Sequence, residues 1–335
     1  MQITVLGDGA WGTALAILLQ QNGHRVCLRG AFQTNVEAMQ RDHENRAFLP
    51  GVGLPPELAI TGDMAVAMRE HAPQAVVLAA PIQYLAALLE EVAAVPVSRP
   101  QPLFVGVAKG LQLETCRRPS EMVAQYLGSV PFCALSGPSH AEEVARQMPT
   151  AVVAAASVMS VVEQTRDLFI NDYFRVYTAS DLIGVELGGA LKNVYAIAAG
   201  IGDGLELGDN AKAALLTRAI AEMARLGLAL GGEAETFSGL SGVGDLMVTC
   251  FSRHSRNRRV GEELGRGQAI EDIVSRMNQT VAEGVKTTLS VRQLVRARKV
   301  EAPIVEEVYQ VLYNHKDRSQ AVRDLMTREP KAETE

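Results

Sequence analysis

One lysine stands by itself in the most apolar stretch of the chain. Glu186 to Leu205 reads ELGGALKNVYAIAAGIGDGL, with Lys192 at its middle and Asn193 beside it. Leu187, Leu191, Val194 and Ala198 recur at helical spacing, which predicts a helix buried on most sides. An ammonium in such a place is paired, snorkelled to the surface or functional, because an isolated charge is costly to bury. Gly188 and Gly189 lie one turn before Lys192, and Tyr195 and Ala196 one turn after it. A glycine inside a helix costs about 1 kcal/mol relative to alanine. Two in a row therefore imply either the close approach of another helix or room for a ligand beside the ammonium.

A second set of reactive types follows. Gly242-Val243-Gly244-Asp245 leads to Thr249, and Asp245 and Thr249 are spaced to share one face of a helix. Next comes SRHSRNRR, Ser252 to Arg259, with Ser255, Arg256 and Asn257 in its middle and four arginines between residues 253 and 259. A nucleic-acid site would interleave aromatics with the basic residues, and none occurs there; the chain also carries a net charge of −6. A small phosphate held by a guanidinium and by side-chain or helix-terminus donors fits better. A solvated basic helix start remains the alternative.

The elements that would position these groups begin at residue 2. Gln2 to Leu6 is strand-like and runs into Gly7-Asp8-Gly9-Ala10-Trp11-Gly12, followed by a helical pattern over 13–21. This is GxGxxG between a strand and a helix, the setting in which it binds a dinucleotide. Gly7 makes the tight turn, Gly9 lets backbone approach a pyrophosphate, and Gly12 lets the helix pack on the strand. The second strand, Arg25 to Arg29, ends without an acid until Glu37. An acid there would bind a ribose 2′-hydroxyl, whereas Arg29 suits a 2′-phosphate, so NADP(H) is expected ahead of NAD(H). An Arg29 without cofactor contact stays open as the other reading.

Strand and helix patterns alternate onward. Strands are predicted at 58–61, 75–80, 103–107, 132–135, 151–156 and near 174–177, with helices at 63–70, 83–92 and 159–170. The alternation predicts a Rossmann-type, doubly wound and largely parallel α/β sheet. Ligands of such sheets bind beyond the carboxyl ends of the strands. The Gly7 loop, Ala80-Pro81, Lys109 and Ser136 to Ser139 all fall there. After about Asp181 only helical patterns remain. Two domains follow: residues 1–179 for the dinucleotide, and an all-α C-terminal domain, residues 180–335, for substrate and catalysis.

The chain of 335 residues is 47% hydrophobic and 21% charged, a globular profile. Cys27, Cys116, Cys133 and Cys250 are scattered without metal-like spacing, so reduced thiols and no metal site are expected. Residue 2 already begins a strand, without a leader-like segment, which points to the cytoplasm. A long uncharged run, 72–89, is divided by Pro81 and reads as a buried strand plus a helix, not a membrane insertion.

Together these segments resemble bacterial-type NAD(P)-dependent glycerol-3-phosphate dehydrogenases. The resemblance rests on GDGAWGTA (7–14), VAKG (107–110), LSGPSHA (135–141), ELGGALKNVYAIAAGIGDGL (186–205), NAKAALLTR (210–218), GLSGVGDLMVTC (239–250), SRNRR (255–259) and VAEG (281–284), in order over most of the chain. It implies reversible reduction of dihydroxyacetone phosphate to sn-glycerol 3-phosphate, a phospholipid precursor, by NAD(P)H. It makes Lys192 the general acid/base, with Asn193 and Asp245 orienting it. Lys109, Gly137, Ser139, Thr249, Ser255, Arg256 and Asn257 become substrate contacts. Ala10, Trp11, Lys109, Ala141, Arg256, Val281 and Glu283 become cofactor contacts, beside Gly7, Gly9, Gly12 and Arg29 read from the loop and the strand end. At the end of the second strand many members carry an aromatic residue and then a basic one two places on; here those places hold Arg29 and Ala31. Helical second domains of this kind often pair, so a homodimer is expected. Another two-domain β-hydroxyacid or sugar-phosphate dehydrogenase is the enzymatic alternative, and a dinucleotide sensor the non-enzymatic one.

Overall fold

A computed structural model of the chain describes residues 1–95, 101–277, 282–330 and 332–333. The first half alternates β1 (Gln2–Leu6), α1 (Ala10–Gln21), β2 (Arg25–Arg29), α2 (Gln33–Asp42), β3 (Ala59–Thr61), β4 (Ala75–Leu78), α3 (Ile82–Ala94), β5 (Leu103–Gly106), α4 (Pro119–Leu127), β6 (Phe132–Ser136), α5 (Ala141–Val144), β7 (Thr150–Ala155), α6 (Met159–Phe169) and β8 (Phe174–Ala179). These strands form one sheet in the order β3-β2-β1-β4-β5-β6-β7-β8. Its central strands β1, β4 and β5 are short apolar runs buried on both faces, as the helix layers of a doubly wound sheet require, whereas the edge strands β3 and β8 are partly exposed. All pairs are parallel except β6 with β7. That reversal departs from a sheet of one direction, although β7 and β8 are again parallel. The run divided by Pro81 is β4 followed by α3, as its composition predicts.

Local chemistry departs from the sequence reading in places. The helix expected at 63–70 is a wide π-type turn, Val66–Glu70. Helices α2 and α4 had no predicted counterpart. Their buried residues are few, Val36 and Met39 in α2 and Pro119, Met122 and Val123 in α4, which leaves little periodicity to read.

The second half is helical: α7 (Leu182–Gly204), α8 (Gly208–Ala229), α9 (Ala234–Phe237), α10 (Asp245–Phe251), α11 (Arg256–Gly265), α12 (Ile270–Arg276), α13 (Glu283–Arg298), α14 (Pro303–Tyr313) and α15 (Arg318–Met326). Asp181 starts α7 by accepting the Gly184 N–H at 2.8 Å. Helix α7 is long and apolar enough to cross a membrane, yet 83% of its most apolar window is buried inside the protein. It is the axis of the second core, which includes Leu191, Val194, Tyr195 and Ile197.

A stripe of small residues brings α11 against α7. A Cβ on Gly200 would lie 2.0 Å from the Arg258 carbonyl oxygen, and one on Gly261 would lie 2.1 Å from that of Ile197. Any side chain at either position would push the helices apart. The glycines before Lys192 also answer to close packing. A Cβ on Gly188 would stand 2.7 Å from the Ser241 carbonyl oxygen, and one on Gly189 would stand 2.8 Å from Ser136 Oγ. Close packing is observed at both, against backbone at Gly188 and against side chains at Gly189. Ser136 ends β6, so Gly189 also seats α7 on the sheet.

Candidate active site

Lys192 lies midway along α7 and is 7% exposed. Its Nζ donates to Asp245 Oδ1 at 2.9 Å and to Thr249 Oγ1 at 2.8 Å. Asp245 opens α10 and Thr249 follows one turn later, so the shared helix face read from their spacing delivers both to one ammonium. The Thr249 hydroxyl donates to the Asp245 carbonyl at 2.6 Å, leaving its lone pairs turned to the lysine. Asp245 Oδ2 is 2.7 Å from the Nζ of Lys109, which arrives from the loop after β5. Burial taken singly would raise the Asp245 carboxyl; the two ammoniums outweigh it and hold it below the usual carboxylate range. Burial lowers the Lys109 ammonium, opposed by Asp245 and reinforced by Lys192.

Lys109 ties this centre to the sheet. Its Nζ donates to the Gly137 carbonyl at 2.8 Å and reaches Ser139 Oγ at 3.4 Å. Gly137 has φ +130, a conformation that disfavours a side chain, and a Cβ there would press within 3.0 Å of Val152. Asn193 binds backwards and forwards: its Nδ2 donates to the Lys109 carbonyl at 2.9 Å, and its Oδ1 accepts from Asn257 Nδ2 at 2.8 Å. Asn257 in turn accepts the Gly284 N–H at 3.0 Å. Ser255 caps α11 by accepting the Arg258 N–H at 3.2 Å. Arg256 is the exposed first residue of α11, and among the described residues no hydrogen bond or ion pair holds its guanidinium.

The glycine loop follows β1 and leads into α1. Gly7 has φ +123, and a Cβ on it would strike the Ala79 backbone at 2.8 Å. A Cβ on Gly12 would meet the Gly7 carbonyl at 1.9 Å, whereas one on Gly9 would meet nothing within 4 Å. The loop is tight beneath and open above Gly9. The amides of Ala10, Trp11 and Gly12 begin α1, where an intrahelical acceptor is lacking. That is the cradle a dinucleotide pyrophosphate needs, so the residues present fit such a cofactor. Trp11 Nε1 is buried without a partner, its ring 6.5 Å from that of Phe174. Glu283 starts α13 and accepts the Ile82 N–H at 3.2 Å, which links α13 to the start of α3; burial raises its carboxyl and the Arg256 charge opposes the shift. Ala141 begins α5 and is 7% exposed. Val281 lies outside the described residues. Arg29 is not free: its Nη2 is 2.7 Å from Glu91 Oε2 and its Nε donates to the Gly62 carbonyl at 3.3 Å.

Two features were not read from the sequence. Glu186, in the first turns of α7, accepts from Arg118 Nη1 at 2.8 Å, the Ser120 amide at 2.7 Å and the Ser120 hydroxyl at 2.6 Å. It locks α4 to α7; its signal was an acid at the head of an apolar run. His140 and His254 meet with ring centroids 5.9 Å apart, joining the β6 loop to the loop before α11.

The chain matches two family descriptions: the N-terminus of NAD-dependent glycerol-3-phosphate dehydrogenase over residues 2–162, and its C-terminus over residues 181–323. It is 48% identical over 337 residues to glycerol-3-phosphate dehydrogenase (NAD(P)+) of Chlorobium phaeobacteroides, covering 99% of each chain. The protein of that name from Citrifermentans bemidjiense is 46% identical, with 99% of this chain and 98% of the relative covered. Among solved structures, glycerol-3-phosphate dehydrogenase from Coxiella burnetii superposes with a TM-score of 0.92 at 37% identity, covering 97% of this chain and 98% of that one.

Proposed function

This chain belongs to the NAD-dependent glycerol-3-phosphate dehydrogenase family, and on that premise we propose that it interconverts dihydroxyacetone phosphate and sn-glycerol 3-phosphate with NAD(P)(H). The observation that carries this reading is the buried Lys192 ammonium, held by Asp245 and Thr249 where the sheet loops and α11 converge. When bound, the nicotinamide dinucleotide supplies or accepts the hydride. Lys192 donates its proton to the substrate C2 oxygen on reduction and recovers it on oxidation. Its positive charge also stabilises the oxyanion before the proton has moved. Asp245 fixes the ammonium, and Asn193 fixes the α7 backbone against the Lys109 and α11 loops. Lys109, Ser139, Thr249 and the Gly137 backbone surround the hydroxyl end. Ser255, Arg256 and Asn257, at the N-terminus of α11, receive the phosphate. Gly7 to Gly12, Ala141 and Glu283 line the dinucleotide.

The cleft between residues 1–179 and 180–335 then divides the labour between a cofactor domain and a substrate domain. NADP(H) is preferred and NAD(H) accepted, because a basic residue and no acid ends β2; Glu91 competes for that arginine and keeps the preference modest. The product feeds phospholipid synthesis in the cytoplasm. A homodimer is the working form. An apolar hollow of about 780 Å³ on the helical domain, edged by Met326 at 80% exposure, supports pairing, which light scattering would test.

The direct experiment follows nicotinamide absorbance with dihydroxyacetone phosphate and NADPH or NADH. Oxidation that requires the phosphate ester is the expected result. Equal rates with dihydroxyacetone would remove the phosphate assignment, and no rate with either cofactor would remove the activity.

A further inference from the structure

One titratable side chain at the cleft takes no part in the mechanism above. His140 sits between Ser139 and Ala141, in the loop whose Gly137 carbonyl receives Lys109. Its ring faces that of His254, which lies two residues before Arg256. The pair therefore bridges the sheet-side loop and the loop proposed to receive phosphate. His140 Nε2 is buried and has no hydrogen-bond partner. An unpaired buried nitrogen is unfavourable, so one kept at a ligand cleft points to a partner that comes with the ligand. Among charges Lys192 acts on His140 most, ahead of Glu142 and Glu143 although these are its near neighbours in sequence.

We propose that His140 is a further substrate-contacting residue whose Nε2 hydrogen-bonds the phosphate ester, with His254 holding its ring in position. The inference rests on the phosphate-ester reading of the site. Burial, then Lys192 and more weakly Lys109, hold the His140 pKa below its ordinary value; Glu142 and Glu143 oppose them, and His254 faces it from the α11 side. The ring is therefore neutral in the empty site near neutral pH. A phosphate dianion reverses the local balance, and His140 takes up a proton as the ester binds.

The test combines steady-state kinetics with calorimetry of dihydroxyacetone phosphate binding in buffers of different ionisation heat. His140→Phe should raise the ester KM about tenfold while leaving the nicotinamide KM unchanged and kcat within about threefold, the scale of one lost ligand hydrogen bond. His140→Gln keeps a neutral hydrogen-bonding group, so its ester KM should stay within about threefold of wild type while it loses the extra proton uptake. An unchanged KM in His140→Phe, or equal proton uptake in wild type and His140→Gln, overturns the inference. If the phenylalanine variant does not fold, the glutamine comparison decides. Wild-type protein that reduces dihydroxyacetone as well as its phosphate fails the phosphate reading itself, however the variants behave.

Discussion

Asp245 divides its carboxylate between two lysines from different halves of the protein, Oδ1 to Lys192 at 2.9 Å and Oδ2 to Lys109 at 2.7 Å. Asp245 is 1% exposed, so water does little to screen the arrangement. Asp245→Asn leaves two ammoniums facing one another around a neutral amide. Removing one partner of a buried ion pair costs about 3–5 kcal/mol, and here two cations lose the same partner. The expected result is a lower denaturation midpoint together with a large fall in kcat. A variant as stable as wild type would mean that the carboxylate does not hold the charges together.

Lys192→Ala tests the proton transfer. General acid catalysis contributes about 10²–10⁴-fold, and kcat should fall on that scale. Cofactor affinity should be retained, since the glycine loop and the start of α1 are far along the chain and untouched. Fluorescence titration of NADPH separates the two effects. Near-wild-type kcat would remove Lys192 from its role.

Arg256 has no ion-pair partner among the described residues, so its truncation removes, besides a ligand contact, only the charge that opposes the rise of the Glu283 carboxyl. Arg256→Ala should raise the ester KM by about tenfold or more, the loss of one charge-assisted contact. Activity on dihydroxyacetone should change much less. Equal losses on both substrates would show that Arg256 does not meet the phosphate.

The glycine loop, the strand ends and the Lys192 helix were legible because each depends on a local pattern: GxGxxG, apolar strands and a 3.6-residue period. Pairings across the chain were not. Lys109 and Lys192 were named as separate candidates, and only the fold sets them both on the Asp245 carboxylate. His140 meets His254 for the same reason, although both lie inside quoted motifs. The polar helices were missed on physical grounds: α15 buries only Ala321 and α2 only Val36 and Met39. The reversed direction of β7 was equally silent, since side-chain alternation reads the same in either sense.

The Arg29–Glu91 pair yields a prediction about the cofactor. The guanidinium at the end of β2 meets a carboxylate that is 47% exposed. A 2′-phosphate must share or displace that contact. Glu91→Gln removes the competing charge, and a half-exposed ion pair is worth at most about 1 kcal/mol, or roughly fivefold. The ratio of kcat/KM for NADPH over NADH should rise by about threefold to fivefold. An unchanged ratio would place the 2′-position away from Arg29.

Glu222 gives the helical domain a pH dependence. It lies on α8, is 1% exposed, and accepts the Ile304 and Val305 amides at 3.0 Å each, closing the start of α14. Burial raises its carboxyl to about 7, against the opposing pull of those two amides and of Arg225 and Arg328. An unfolded glutamate ionises near 4.5. Between these values the folded protein holds a proton that the unfolded chain has released. Stability therefore falls as pH rises through that window and levels off above about 7. Glu222→Gln keeps a neutral acceptor and cannot ionise, so the variant lacks this part of the slope. Melting temperatures at about pH 5 and about pH 8 should show wild type losing more stability than the variant across the interval. A difference between the two proteins that stays constant with pH would mean that Glu222 is ionised throughout, with the α14 amides sufficient to hold its charge.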